Sequence, residues 1–182
     1  MNFEATLRLL LQDFKEKNVQ YGLIGGFAMG LLGITRSTID IDFLIDADDA
    51  SKIDGIMKAR GYSCVHQSED VSQYVSTVKI FGEVDFLHAR REIARRMLKE
   101  SIETEVFEGQ LKIRILKPED IIGLKVQASM NDSVRLQQDF SDIESLMKYY
   151  GKKLDWNRLQ EYFSLFGQNQ KFTELKSLYA QV

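Results

Sequence analysis

Apolar and polar positions change period several times along the chain, and each change marks an element. Phe3, Leu7, Leu10, Leu11 and Phe14 recur at helical spacing, which predicts an amphipathic helix over residues 3–17. Residues 19–24 are a short run of strand formers closed by Gly25-Gly26, and 27–32 read as a short helix followed by a loop at 33–37. Over 39–45 the residues Ile39, Ile41, Phe43 and Ile45 alternate with Asp40, Asp42 and Leu44, the period of a strand with its isoleucines and phenylalanine turned to the core. A helix over 50–60 ends at Gly61. Strand-like runs at 71–81 and 84–87 flank Gly82-Glu83, and a second pair at 104–107 and 110–116 flanks Glu108-Gly109.

The second half has another character. Pro118 sits where a helix begins, with Glu119 and Asp120 behind it to favour the positive helix end. From there four helices are expected, at 118–130, 133–150, 155–166 and 169–180. Mixed elements followed by helices predict an α+β fold, with a mixed α/β core over 1–116 and a helical region over 117–182 packed on it as one compact unit.

Composition narrows the classes. The 182 residues, 44% hydrophobic and 28% charged, suit a globular domain with a core of its own. No apolar run approaches the ~20 residues that span a bilayer, and acidic residues interrupt the N-terminal apolar stretch, against a signal peptide. One cysteine, Cys64, permits no intramolecular disulfide, so a cytoplasmic location is expected. Cys64, His66 and His88 cannot close a structural zinc site without carboxylates. The net charge of −3 offers no broad basic face for a long nucleic acid, although the 90–96 run RREIARR is locally basic.

The chemistry concentrates between Tyr21 and Ile45. Residues two apart on a strand share a face, so Asp40 and Asp42 point the same way. Two adjacent carboxylates repel unless a cation lies between them, and Mg2+ is commonly held by one or two carboxylates together with substrate phosphates. Asp85, in a segment of the same cadence, can complete the group if its strand lies alongside; Asp70 and Glu83 are the alternatives for that third place. Three carboxylates on adjacent strands suit two-metal phosphoryl transfer. Upstream, Gly25-Gly26 turns a strand into a helix, exposing N–H groups to which phosphate oxygens can come close.

The glycine pair, short helix and Arg36-x-Thr38-x-Asp40-x-Asp42, with Asp85 as third carboxylate, resemble the signature of DNA polymerase β-like nucleotidyltransferases. Within that superfamily the likeness is to the small bacterial group that includes abortive-infection toxins. The resemblance covers roughly residues 19–145 and extends to ILKPEDIIGLKVQA, followed by Arg135, Asp139 and Asp142. It implies a mixed sheet with flanking helices and two Mg2+ (or Mn2+) ions on Asp40, Asp42 and Asp85. It also implies nucleotide contacts from Gly25, Gly26, Arg36, Lys125 and Asp139. The expected reaction moves a nucleoside monophosphate from a triphosphate to a hydroxyl of RNA, protein or a small molecule, as in a toxin that pairs with an antitoxin. The superfamily often has Gly-Ser where this chain has Gly25-Gly26, which removes one hydroxyl contact and leaves the backbone ones.

Plainer readings exist for each residue. Asp40 and Asp42 could decorate an edge strand, Asp139 and Asp142 could pair with Arg135 along a helix, and His88 is expected in the core or at a rim. The aromatic residues Tyr149, Tyr150, Trp156, Tyr162, Phe163 and Phe166 are expected to form helix core. The competing functions are a non-catalytic nucleotide- or protein-binding module on the same fold and a glycosyltransferase using Asp-x-Asp. A misplaced third carboxylate would favour the first; the early glycine turn opposes the second.

Overall fold

The computed structural model describes residues 1–131 and 134–182. The described residues divide into two compact units: 1–31 with 35–116, and 32–34 with 117–182.

The first unit is an α+β sheet domain. Its elements are α1 (Phe3–Glu16), β1 (Tyr21–Ile24), α2 (Gly25–Leu31), β2 (Asp40–Asp46), α3 (Ala50–Ala59), β3 (Tyr62–Gln67), β4 (Val71–Ser76), β5 (Glu83–Ala89), α4 (Glu92–Lys99), β6 (Ile102–Val106) and β7 (Leu111–Ile115). Among the described residues the sheet has seven strands in the order β3-β4-β5-β2-β1-β7-β6. β2 runs parallel to β5 and antiparallel to β1, and β1 runs parallel to β7. The parallel pair β2–β5 places Asp42 opposite Asp85 and Phe43 opposite Phe86. Since opposed residues share a face, one register sets both the acidic face and the core face.

The core face is aromatic. Phe43 and Phe86 stack with centroids 5.6 Å apart, Phe14 of α1 meets Phe43 edge-on at 5.4 Å, and Tyr74 meets Phe86 edge-on at 5.8 Å. Phe14, Phe43 and Phe86 are fully buried, and each side chain contributes roughly 1.5–3 kcal/mol by leaving water. Asn2 starts α1 as a helix cap, accepting from the Ala5 N–H at 3.0 Å.

The observed elements depart from the sequence pattern in several places. β3 was not expected: YSCVHQ is a polar edge strand, mostly exposed, with none of the alternation that marks a buried face. Residues 77–82 connect β4 to β5 and do not extend the strand, because the register closes at Val75 opposite Glu83. Ile39 is 78% exposed and does not face the core, since β2 starts one residue later. Leu44, on the same face as Asp42, is buried: it lies opposite Gly22, over which the Leu98 side chain of α4 packs.

Burial pushes the Tyr62 phenol up from 10 to about 12; its hydroxyl donates to the Phe81 carbonyl at 3.1 Å. The folded state therefore holds this proton more tightly than the unfolded chain does. The resulting stabilisation is complete below pH 10 and is lost as the pH rises toward 12. Urea midpoints are expected to fall across that window, and Tyr62→Phe is expected to make the fall shallower; equal slopes in the two proteins would contradict this.

The second unit is helical: α5 (Pro118–Asn131), α6 (Leu136–Tyr150), α7 (Trp156–Leu165) and α8 (Asn169–Tyr179). The expected start of the second helix, at residue 133, lies outside the described residues. Asp155 caps α7, accepting from Asn157 and Arg158 N–H groups at 3.0 and 3.1 Å. Tyr162 and Phe163 are buried as expected of a helix core, whereas Tyr149 is 61% exposed. At the centre of the unit, Asp120 is fully buried between Arg158 and the Tyr162 hydroxyl. No helix among the described residues is long and apolar enough to cross a membrane.

Candidate active site

β2 and β5 bring three carboxylates to one point. Asp40, Asp42 and Asp85 each offer one oxygen, and these oxygens lie within 4.8 Å of one another. All three residues are half-buried. Of the two alternatives for the third place, Glu83 lies opposite Asp40 and is exposed, and Asp70 is exposed ahead of β4; neither joins this cluster. An all-oxygen, triply acidic donor set at this spacing fits a hard divalent cation, which takes oxygen ligands.

Each carboxylate is held by its own neighbour. The Thr38 hydroxyl donates to Asp40 Oδ1. Gln73 Nε2, on β4, donates to Asp85 Oδ2 at 2.7 Å. Asp42 packs against Gly25, where an added Cβ would run into the Asp42 carboxyl group. Gly25 has φ +69°, the left-handed region, which ends β1 and starts α2. A Cβ on Gly26 would come 2.7 Å from Thr38 Cβ and 3.5 Å from Arg36 Cγ. The glycine pair thus lies beside Arg36, Thr38 and Asp42, and the missing side chains admit the site's own residues.

Lys125 and Asp139 belong to the helical unit. Lys125 Nζ, on α5, lies 3.1 Å from Asp139 and 2.6 Å from Asp142, both on α6, and all three side chains are largely buried. Of the two readings of these acids, pairing with Arg135 along α6 or a role beside Lys125, the contacts shown are with Lys125.

The remaining candidates have ordinary partners. His88 is 7% exposed, its Nδ1 3.0 Å from the Glu69 carbonyl and its Nε2 3.0 Å from Ser72 Oγ. His66 is exposed, and Cys64 is a half-buried free thiol. In the basic run, Arg90 pairs with Glu69 at 2.5 Å, and Arg95 reaches Asp46 and Asp48, each at 3.1 Å. Acids therefore offset the charges of Arg90 and Arg95.

Sequence reasoning missed Gln73 and the packing of Gly25 on Asp42. The pairing of β4 with β5 across twelve residues creates the first contact, so no local motif announces it.

The mixed sheet, with its strand order and flanking helices, is that of a nucleotidyltransferase. The chain belongs to a family described as uncharacterised nucleotidyltransferase, whose model matches residues 1–168. Three solved structures share the fold. The antibiotic-resistance factor ANT(2'')-Ia has TM-score 0.66 at 15% identity over 96% of this chain and 97% of that one. The lincosamide antibiotic adenylyltransferase LnuA, bound to lincomycin, has TM-score 0.52 at 19% identity over 79% and 95%. An antigenic nucleotidyltransferase-like protein from Paracoccidioides brasiliensis has TM-score 0.57 at 18% identity over 97% and 92%. At such identities the likeness is one of fold. No curated protein sequence matches the chain.

Proposed function

We propose that this nucleotidyltransferase moves a nucleoside monophosphate from a nucleoside triphosphate to a hydroxyl acceptor, with divalent cations held by Asp40, Asp42 and Asp85. The observation that carries the reading is the convergence of one oxygen from each of these residues within 4.8 Å. In the reaction the acceptor oxygen bonds to the α-phosphorus and loses its proton, while the bond from that phosphorus to the bridging oxygen breaks and pyrophosphate leaves. Bound Mg2+ or Mn2+ would neutralise phosphate charge and lower the proton affinity of the acceptor hydroxyl. Asp40 and Asp42 would hold the divalent cations, and Asp85 would complete the donor set and help to activate the acceptor oxygen. Gly25 and Gly26 offer backbone N–H groups to the triphosphate, and Arg36 lies beside them. Lys125 and Asp139 are carried as nucleotide contacts on the resemblance of their motif.

A hydroxyl-bearing small molecule is the favoured acceptor. The basic run that would attract a polyanion is partly neutralised by Glu69, Asp46 and Asp48, and the net charge is −3. ANT(2'')-Ia and LnuA are an antibiotic-resistance factor and an antibiotic adenylyltransferase. RNA or protein modification by a toxin-like enzyme with an antitoxin partner is the second reading, favoured by the motif from Gly25 to Asp42. A binding module without turnover would not need Asp85 beside Asp42.

The test is transfer itself. The purified protein is incubated with each α-labelled nucleoside triphosphate, Mg2+, and pools of small molecules, RNA and protein. One triphosphate is expected to label one pool with release of pyrophosphate; label in none, with every pool tried, would oppose the enzymatic reading of the site.

Gly25→Ala gives a sharper check. It places a methyl group against the Asp42 carboxylate at a residue whose φ is +69°. Left-handed backbone costs a residue other than glycine about 1–2 kcal/mol, and a displacement of this size at a reacting centre costs about 10²-fold in rate. Transfer is expected to fall by about that factor while circular dichroism shows a folded protein. Unaltered kcat would mean that Asp42 is not where the reaction needs it.

A further inference from the structure

We infer that Gln73 is a positioning residue for the acidic centre: its side-chain amide orients the Asp85 carboxylate toward Asp40 and Asp42. The inference rests on the reading of the three carboxylates proposed above.

β4 lies antiparallel to β5 with Gln73 directly opposite Asp85, and Gln73 Nε2 donates to Asp85 Oδ2 at 2.7 Å. Along β4, Ser72, Tyr74 and Ser76 are buried on one face; Gln73 projects from the other, the face that carries Asp85. An aspartate carboxyl rotates with little preference about its last torsion. Asp85 also has Asp42 opposite it on β2, a like charge that would turn a free carboxylate away. A hydrogen bond to one oxygen opposes that rotation.

The chemical type of the donor matters as much as its position. A lysine or arginine at residue 73 would orient Asp85 equally well, but its charge would cancel the one that a divalent cation needs. An amide orients without neutralising. Thr38 stands in the same relation to Asp40, donating a neutral hydroxyl to Oδ1. Thr38 and Gln73 thus each give one carboxylate an uncharged side-chain donor, an arrangement suited to presenting fixed oxygens to a metal ion.

The test compares wild-type protein with Gln73→Leu and Gln73→Glu. Leucine removes the donor; glutamate keeps the shape and sets a carboxylate against Asp85. Mn2+ binding is followed by electron paramagnetic resonance in the presence of a non-hydrolysable triphosphate, and kcat and KM are measured in the transfer assay. Both variants are expected to weaken Mn2+ binding by about 10–100-fold and to lower kcat by a similar factor. The KM for the triphosphate is expected to stay within about twofold, a split that general loss of structure does not produce. Wild-type Mn2+ affinity and kcat in Gln73→Glu would overturn the role of Gln73 while leaving the triad standing, and that near-isosteric variant decides the matter if Gln73→Leu does not fold. Absence of Mn2+ binding in the wild type would overturn the reading of the triad, and this inference with it.

Discussion

Asp42→Ala is expected to lower nucleotidyl transfer by on the order of 10³-fold and to leave the protein folded, as stable as the wild type or more so in the absence of metal. The two halves of this expectation have one cause. Asp42 has Asp85 opposite it and Asp40 two residues away on the same face, so three like charges converge. Without a cation, removing one of them relieves repulsion, and the core contacts of β2, made by Ile41, Phe43 and Ile45, are untouched. With a cation and triphosphate bound, the same side chain is the central member of the donor set, and its loss forfeits several kcal/mol of charge stabilisation. Steady-state kinetics and urea titrations with and without Mg2+ measure both halves. A variant that loses stability without metal, or retains more than a tenth of its activity, would show the carboxylate to be structural.

Asp120→Ala is expected to destabilise the helical unit by about 3–5 kcal/mol, the usual effect of removing one partner from a buried ion pair. Arg158 reaches both oxygens of Asp120, at 2.6 and 2.8 Å, and its side chain is only 10% exposed. The Tyr162 hydroxyl also donates to Asp120, and the Tyr162 ring packs on Gly123. The truncation leaves a guanidinium largely withdrawn from water without its carboxylate. Replacing both residues together, Asp120→Leu with Arg158→Met, is expected to recover most of the loss, because apolar pairs of similar volume often match a buried ion pair. Urea denaturation of the single and double variants checks this; equal losses in both would show that packing around Tyr162 outweighs the charges.

Much of the site was legible because it is written in short-range periodicities. Asp40 and Asp42 are two apart on a strand, so a shared face follows from pleating alone. Asp85 repeats the same cadence in EVDFLHA, and placing it needed only the assumption that its strand lies beside β2, as the register shows. The helices of the second half were visible from Pro118 onward. What escaped is non-local or lacks a periodic signature. β3 is a polar edge strand, mostly exposed, with little apolar material to betray it. Gln73 gains its meaning from a strand pairing, and Lys125 finds its acids on the next helix, whereas sequence spacing left a pairing with Arg135 equally open for them. The glycine pair was read for what it leaves open to a ligand, while its close neighbours are Asp42, Thr38 and Arg36. No inspection of the local sequence reveals that packing, because residues ten to seventeen positions downstream fill the space.

Ligand-linked stability tests the central claim most directly: thermal unfolding of the wild type and of an Asp40→Asn, Asp42→Asn double variant, each with a nucleoside triphosphate in the presence of Mg2+ or of a chelator. At about a hundred times the dissociation constant, the triphosphate with Mg2+ should raise the wild-type Tm by roughly 5–10 °C. The chelator or the double substitution should abolish that shift. A triphosphate shift of the same size under chelation, or in the double variant, would mean that nucleotide binds without the carboxylates and that these acids do not form a metal centre.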